Sequence, residues 1–341
     1  MAIAEQELLA ASRRAYDLVF KSMVETACLK AARDLNLFGL LAAGPLPLDV
    51  LATRVEGVPL RLERLLVSLG QIGLVLRTEQ GWALTELARH FFVVPANDPS
   101  LTMAPFADYM VDQLESYYLR LADVVRGNLD FTGVVPYPPR SRADSLFYET
   151  IHRSNVYFPI KLMRKHAHLE GVKHLVDAGG GIGDVAAALC KQFPDLHVSL
   201  INLPSAVDLV RENVAAQGLS ERIIPVVIDL YRDEYPACDA VLFSRIMYPM
   251  SAQLCTMLCQ RAFAALEPGG RILICDMIID DSQHPNYDYL SHYLCAVGTD
   301  FSVLDFKPQS AYSGILQAVG FSQISHAAGY DHVLFQAVKP A

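Results

Sequence analysis

Apolar positions recur at helical spacing through residues 6–43, at Leu18, Val19, Met23, Ala27, Leu29 and Ala32, and predict a helix that Pro45 and Pro47 interrupt. A short helix near 48–55 and another over Leu60–Ile72 come next. Two short runs follow, Leu74–Arg77 and Trp82–Leu84, parted by Thr78-Glu79-Gln80-Gly81, which has the composition of a hairpin loop. Helix, helix and hairpin in that order predict a winged helix. Residues 101–130 read as helix again, 133–139 as a linker-like break, and 143–168 as a linker helix.

From Val172 the pattern changes to strands alternating with helices, which predicts a parallel sheet covered on both faces. The strands are expected at Leu175–Ala178, Val198–Asn202, Ile223–Ile228, Ala240–Phe243, Ile272–Met277, Ser322–Ala327 and His332–Ala337. The predicted organisation is a mainly helical winged-helix domain over 1–140 and an α/β domain over 141–341. Neither an internal repeat nor a low-complexity tract shows in the sequence.

Composition narrows the class. Apolar residues make up 52% of the 341 and charged residues 19%, below the roughly one quarter usual for soluble domains, so the surface is expected to be somewhat apolar. Lys and Arg total 28 against 37 Asp and Glu, a net charge of −9. That balance argues against a nucleic-acid binder, which needs clustered cations. Arg61 and Arg64 on the second winged-helix segment are interleaved with Glu63 and core leucines. The seven cysteines form no C-x-x-C pair, which fits a reducing compartment. With no apolar leader and no uncharged apolar run of membrane-spanning length, the expectation is a cytoplasmic protein with no integral membrane association.

The sharpest chemical motif is Asp177-Ala178-Gly179-Gly180-Gly181-Ile182-Gly183-Asp184, closing the first parallel strand and opening a helix. Glycines there let the chain turn and let a ligand approach the backbone. The spacing is not the G-x-G-x-x-G of dinucleotide sites, and no G-K-[ST] follows. A carboxylate ahead of the loop would repel phosphate but suits a ligand carrying ammonium and sulfonium groups.

This D-x-G-x-G-x-G arrangement resembles the first motif of the S-adenosylmethionine-dependent methyltransferases, and Pro268-Gly269-Gly270 resembles the turn those enzymes carry before their fifth strand. The resemblance implies a class I, Rossmann-like domain with a mostly parallel seven-stranded sheet. It implies cofactor contacts at Asp177, Gly179, Gly181, Gly183, Asp229, Leu230, Ser244 and Arg245, and at Asn202 and Leu203, where the family more often ends its second strand in an acid. With the winged-helix front half, the whole chain resembles the dimeric small-molecule O-methyltransferases, which implies a homodimer. Those enzymes place a His-Asp pair after the fourth strand as base; here Tyr248 and Pro249 stand there.

Beside the glycine loop with Asp184, several strings are idiosyncratic, two of them holding the departures Asn202 and Tyr248: Val135-Pro136-Tyr137-Pro138-Pro139, Ile151-His152-Arg153-Ser154-Asn155, Asn202-Leu203-Pro204, Arg245-Ile246-Met247-Tyr248, Asp288-Tyr289-Leu290-Ser291-His292-Tyr293 and Phe301-Ser302-Val303-Leu304. They resemble the group that methylates a meso carbon, C-20, of magnesium chlorins such as bacteriochlorophyllide d in green photosynthetic bacteria. That resemblance implies a tetrapyrrole substrate, with Tyr248 and His292 as catalytic candidates. His292 is also implied as axial ligand to the substrate's magnesium, with no protein-bound metal. Packing alone also accounts for a histidine in an aromatic helix. His152, Arg153 and Asn155 fit ligand contact or helix capping equally. Two alternatives stand beside this reading: O-methylation of a carotenoid, phenolic or polyketide hydroxyl, and a winged-helix regulator that senses the cofactor without turnover.

Overall fold

The computed structural model describes residues 5–93, 103–130, 138–278, 307–329 and 332–341. Contacts within the chain divide it into two compact units, Met1–Gln113 and Leu114–Ala341. The division falls earlier than the Gly- and Pro-rich break at 133–139.

The first unit opens with α1 (Glu5–Tyr16), a π-helical turn at Asp17–Lys21, α2 (Ser22–Asp34) and α3 (Leu37–Leu41). The single helix expected over 6–43 is therefore interrupted. The π turn adds a residue to the register at 17–21, and Asn36, at φ 50°, ends the run in a left-handed conformation. α4 (Leu48–Arg54), α5 (Pro59–Gln71), β1 (Val75–Thr78) and β2 (Gly81–Leu84) form the winged helix. The Thr78–Gly81 hairpin turn pairs as expected, and Leu46 and Trp82 exchange main-chain hydrogen bonds at 2.9 and 2.8 Å. Leu37, Leu41, Leu51, Leu66, Leu69 and Trp82 form the core of this unit. α6 (Glu86–Phe92), absent from the sequence reading, is capped by Thr85, whose Oγ1 accepts the Ala88 N–H at 3.1 Å. α7 (Ala104–Ser116) follows.

The second unit continues with α8 (Leu121–Val125), α9 (Arg142–His152) and α10 (Tyr157–His166). The linker helix expected over 143–168 breaks at a 3₁₀ turn, Arg153–Val156, just ahead of Pro159, which has no N–H for a helical bond. Then come β3 (His174–Ala178), α11 (Asp184–Gln192), β4 (His197–Asn202), α12 (Pro204–Ala216), β5 (Ile223–Val227) and β6 (Cys238–Ser244). α13 (Ala252–Ala265), β7 (Leu266–Met277), α14 (Gln309–Val319), β8 (Ser322–Gly329) and β9 (His332–Val338) complete it.

Sheet order is β5-β4-β3-β6-β7-β9-β8, with β3 to β7 parallel and β9 antiparallel to both neighbours. Successive residues feed opposite faces: Leu175, Leu242 and Leu273 pack toward α10, α11 and α12, while Val176, Phe243 and Ile274 pack toward α13 and α14. β7 begins six residues earlier than expected. Its Pro-Gly-Gly stretch bulges out between the Cys238–Leu266 and Ala240–Arg271 pairs, and Gly269 and Gly270 exchange main-chain hydrogen bonds with Lys339. The chain runs outward from β3 through β4 to β5 and then crosses back to β6. That reversal makes the crevice beyond the carboxyl ends of β3 and β6 the place where such sheets bind ligands. Among the described residues no helix is long and apolar enough to cross a membrane.

Candidate functional site

Four loops meet at that crevice. After β3 the glycine loop turns through φ +72° at Gly179, +55° at Gly181 and +90° at Gly183, which caps α11. Its own hydrogen bonds, Gly181 N–H to Gly179 O at 2.8 Å and Gly183 N–H to Gly180 O at 2.9 Å, hold the turn. A Cβ at Gly179 would stand 2.7 Å from Ile246 in the loop after β6 and 3.4 Å from Leu230 in the loop after β5. At Gly181 it would stand 2.8 Å from the Glu149 carboxylate on α9. Both close contacts are with the ends of flexible side chains, so it is the positive φ at each position, which a residue with a Cβ rarely adopts, that favours glycine here.

Asp177, at the end of β3, is fully buried, and neither carboxylate oxygen has a hydrogen-bond partner among the described residues. Gly180 lies so close over it that a Cβ would overlap the carboxylate. Burial pushes the Asp177 pKa up to about 7. Glu149 is half-buried beside the same loop and accepts the Ile182 N–H; burial first, then the neighbouring Asp184 charge, push its pKa up to about 7. Asp184 opens α11 and takes a two-pronged ion pair from Arg153, Nε to Oδ2 at 2.8 Å and Nη2 to Oδ1 at 2.9 Å. Arg153 thus fixes the loop's helix to the 3₁₀ turn. His152 Nδ1 lies 3.0 Å from the Tyr148 carbonyl within α9, and the Asn155 side chain lies outside the described residues.

Asn202, closing β4, reaches back into the loop: Nδ2 donates to Gly181 O at 3.0 Å, and Oδ1 accepts the Leu203 N–H at 2.8 Å. Leu203 then caps α12. Asp229 shapes its own turn, accepting the Tyr231 N–H at 2.9 Å while its N–H donates to Asp233. Ser244 ends β6 opposite Cys275. Arg245 adopts φ 59°, its N–H donates to Cys275 O at 2.8 Å, and its buried Nε has no partner among the described residues. Its charge is felt by both Glu149 and the buried Asp276. Tyr248 is buried in the same loop, 7% exposed. His292 lies outside the described residues, as do Tyr289 and Tyr293.

The structure thus brings the loops bearing Gly179, Gly181, Asn202, Leu230 and Arg245 together, while the contacts of Asp229 stay within its own turn. Glu149 and Asp276 are the residues the sequence reading missed. Glu149 lies on a helix 28 positions before Asp177 in the chain and carries no local motif; its one signal is a carboxylate just ahead of the string at 151–155. Chemically, the crevice offers to a cation a glycine backbone and a buried carboxylate, and to a carboxylate a guanidinium nitrogen, neither charged group's atoms being partnered among the described residues. A zwitterionic amino acid bearing a sulfonium fits that donor set; a phosphate meeting Asp177 does not.

A family model described as the O-methyltransferase domain matches residues 138–322, and one described as the O-methyltransferase dimerisation domain matches residues 17–93. A bacteriochlorophyllide d C-20 methyltransferase of Chlorobaculum tepidum is 46% identical over 338 residues, 99% of this chain and 100% of that protein. A 3-hydroxy-5-methyl-1-naphthoate 3-O-methyltransferase of Streptomyces sahachiroi is 28% identical over 266 residues, 76% of this chain and 75% of that one. In fold, human N-acetylserotonin methyltransferase, solved with S-adenosylmethionine, superposes with a TM-score of 0.80 over the whole of both chains at 22% identity.

Proposed function

The chain belongs to the O-methyltransferase family and is an S-adenosylmethionine-dependent methyltransferase; from that premise we propose that it methylates carbon, not oxygen, at C-20 of bacteriochlorophyllide d. One observation carries the choice. The loop after β6 presents Tyr248 and Pro249 where an imidazole-carboxylate base would be needed to ionise a hydroxyl. A phenol, with an unperturbed pKa near ~10, is a poor base at neutral pH. A meso carbon of a magnesium chlorin is electron-rich and attacks a methyl donor without prior deprotonation. The name of the Chlorobaculum tepidum relative supports the same reaction.

When bound, S-adenosylmethionine supplies an electrophilic methyl group. The glycine loop would hold it close to the backbone, with Asp177 and Glu149 countering its positive charge and Arg245 taking its carboxylate. Asn202 and Leu203 would face the ribose, Asp229 and Leu230 the adenine, and Ser244 the crevice wall. In the proposed reaction the chain's main work is to hold the carbon in line with the methyl. His292 would ligate the substrate's magnesium through neutral imidazole. Once the new C–C bond has formed, the meso carbon would shed its proton to Tyr248, His292 or water, Tyr248 passing its own hydroxyl proton on as it takes one up. The dimerisation segment supports a homodimer.

Incubating the purified protein with S-adenosylmethionine and bacteriochlorophyllide d tests this. The expected product has gained one methyl in mass and absorbs further to the red, at a rate lowered by His292→Ala. Methyl transfer to a hydroxylated phenol or carotenoid instead, with the chlorin untouched, would overturn the carbon reading and leave the family intact.

A further inference from the structure

The loop after β6 is gripped from two sides. The Met247 N–H donates to Asp276 Oδ2 at 3.0 Å, while the Lys307 ammonium donates to the carbonyl oxygens of Met247, at 3.1 Å, and Met250. Asp276 is fully buried and Lys307 only 3% exposed. Met247 is held at both its N–H and its C=O, and the two carbonyls bound to Lys307 bracket Tyr248 and Pro249.

A buried ammonium is costly unless compensated. Here the Asp276 carboxylate acts on it electrostatically, and its Nζ lies 5.5 Å from the centre of the Tyr312 ring. An apolar side chain of similar reach would fill the space without that cost, but it could not hold two carbonyls. The loop needs holding, because it is entered through Arg245 at φ 59°, a region a residue with a Cβ adopts only when its surroundings impose it.

We propose that Lys307 is a positioning residue whose ammonium, bound to the Met247 and Met250 carbonyls, fixes Tyr248 in the site. This rests on the reading that places Tyr248 at the reacting carbon. The full-length protein is compared with Lys307→Met, Lys307→Arg, Tyr248→Phe and the Tyr248→Phe/Lys307→Met double variant, at saturating S-adenosylmethionine and bacteriochlorophyllide d. Lys307→Met is expected to lower kcat by about ten- to a hundredfold, the scale of a misplaced group, with the cofactor KM within about twofold. Lys307→Arg should recover part of that rate, and the double variant should fall no further than Tyr248→Phe alone.

Losses that multiply in the double variant would show that Lys307 acts independently of Tyr248 and overturn the proposal. A Tyr248→Phe variant at full rate would overturn the reading of Tyr248 and the proposal with it. A readout free of turnover separates the two. With 3-fluorotyrosine at position 248, the fluorine resonance should shift or broaden in Lys307→Met and return toward its place in Lys307→Arg; a resonance unmoved in Lys307→Met sinks the proposal even if the chlorin is methylated. Should Lys307→Met fail to fold, Lys307→Gln carries the test: its amide ends one bond short of the ammonium and cannot reach both carbonyls, so the resonance must move, and one that stays in place overturns the proposal.

Discussion

Asp177 sets two pH dependences of opposite sign. Its pKa, pushed up to about 7 by burial, exceeds its unfolded value near ~3.9, so the folded chain holds the proton more tightly. The stability this contributes is greatest at low pH and falls away as pH rises through the interval between those values. Asp177→Asn, lacking the ionisation, should equal the wild type at about pH 4 and be the more thermostable of the two at about pH 8 in the absence of cofactor, as read by thermal unfolding. A cation bound beside the carboxylate favours its ionised form, so cofactor affinity of the wild type should rise with pH over the same interval. Calorimetric titration should show the variant binding roughly tenfold or more weakly and without that slope. Asn202 makes a different point. Its amide serves the chain at both ends, donating to Gly181 O and accepting the Leu203 N–H, while its carbonyl keeps a second lone pair for a ribose hydroxyl. Asn202→Asp removes the donor and sets a carboxylate against a carbonyl oxygen; the cofactor-free protein should lose about 1–3 kcal/mol, visible as a lower Tm. Asp177 and the glycines were legible because their meaning lies within eight consecutive residues. Glu149, Asp276 and Lys307 were not, because each meets the site through the topology of the sheet and not through a local spacing.

At the scale of elements, the periodicities that were read correctly belong to segments whose burial is one-sided or complete. The strands β3, β4 and β6 carry near-continuous apolar runs, because helices cover both faces of the sheet. Errors gathered where one local feature, a single residue or a main-chain pairing, overrides a pattern. Asn36 halts a helix that apolar spacing would continue, Pro159 divides another, and the Lys339 main chain draws Gly269 and Gly270 into a bulge of β7. The winged helix offers a direct test, since Trp82 is the chain's one tryptophan and sits 5% exposed in the core of the first unit. Leu66 in α5 belongs to the same cluster and is fully buried. Leu66→Ala should cost about 2–5 kcal/mol. Its unfolding midpoint followed by Trp82 fluorescence should drop by about 8 °C or more, since about 1 kcal/mol moves the Tm of a unit this size by roughly 4–8 °C. A fluorescence midpoint equal to that of the wild type would mean that the cluster contributes little to holding the first unit together.

For the whole molecule, the change of period near Val172 revealed the architecture, whereas composition foretold only an apolar surface. That surface is concentrated. Leu8, Leu9, Leu18, Val19, Phe20, Met23 and Val24 stand exposed along α1, the π turn and α2, with Val19 72% and Met23 68% open. Apolar side chains this numerous on neighbouring turns mark an interaction face. The dimerisation model begins at residue 17 and takes in the latter part of the stretch, so a second copy of the chain is the partner we expect. Light scattering on the eluting protein should then give twice the 37.6 kDa chain mass. Replacing Val19 and Met23 together by Asp and Glu places two charges where the partner's apolar side chains must desolvate them, and should give a single-chain mass with unchanged helical circular dichroism. Neither residue is counted in the buried core of the first unit, so a variant that unfolded would show the stretch to be part of that unit's own fold. A wild type that ran as a single chain at micromolar concentration would show that something other than a second copy covers it.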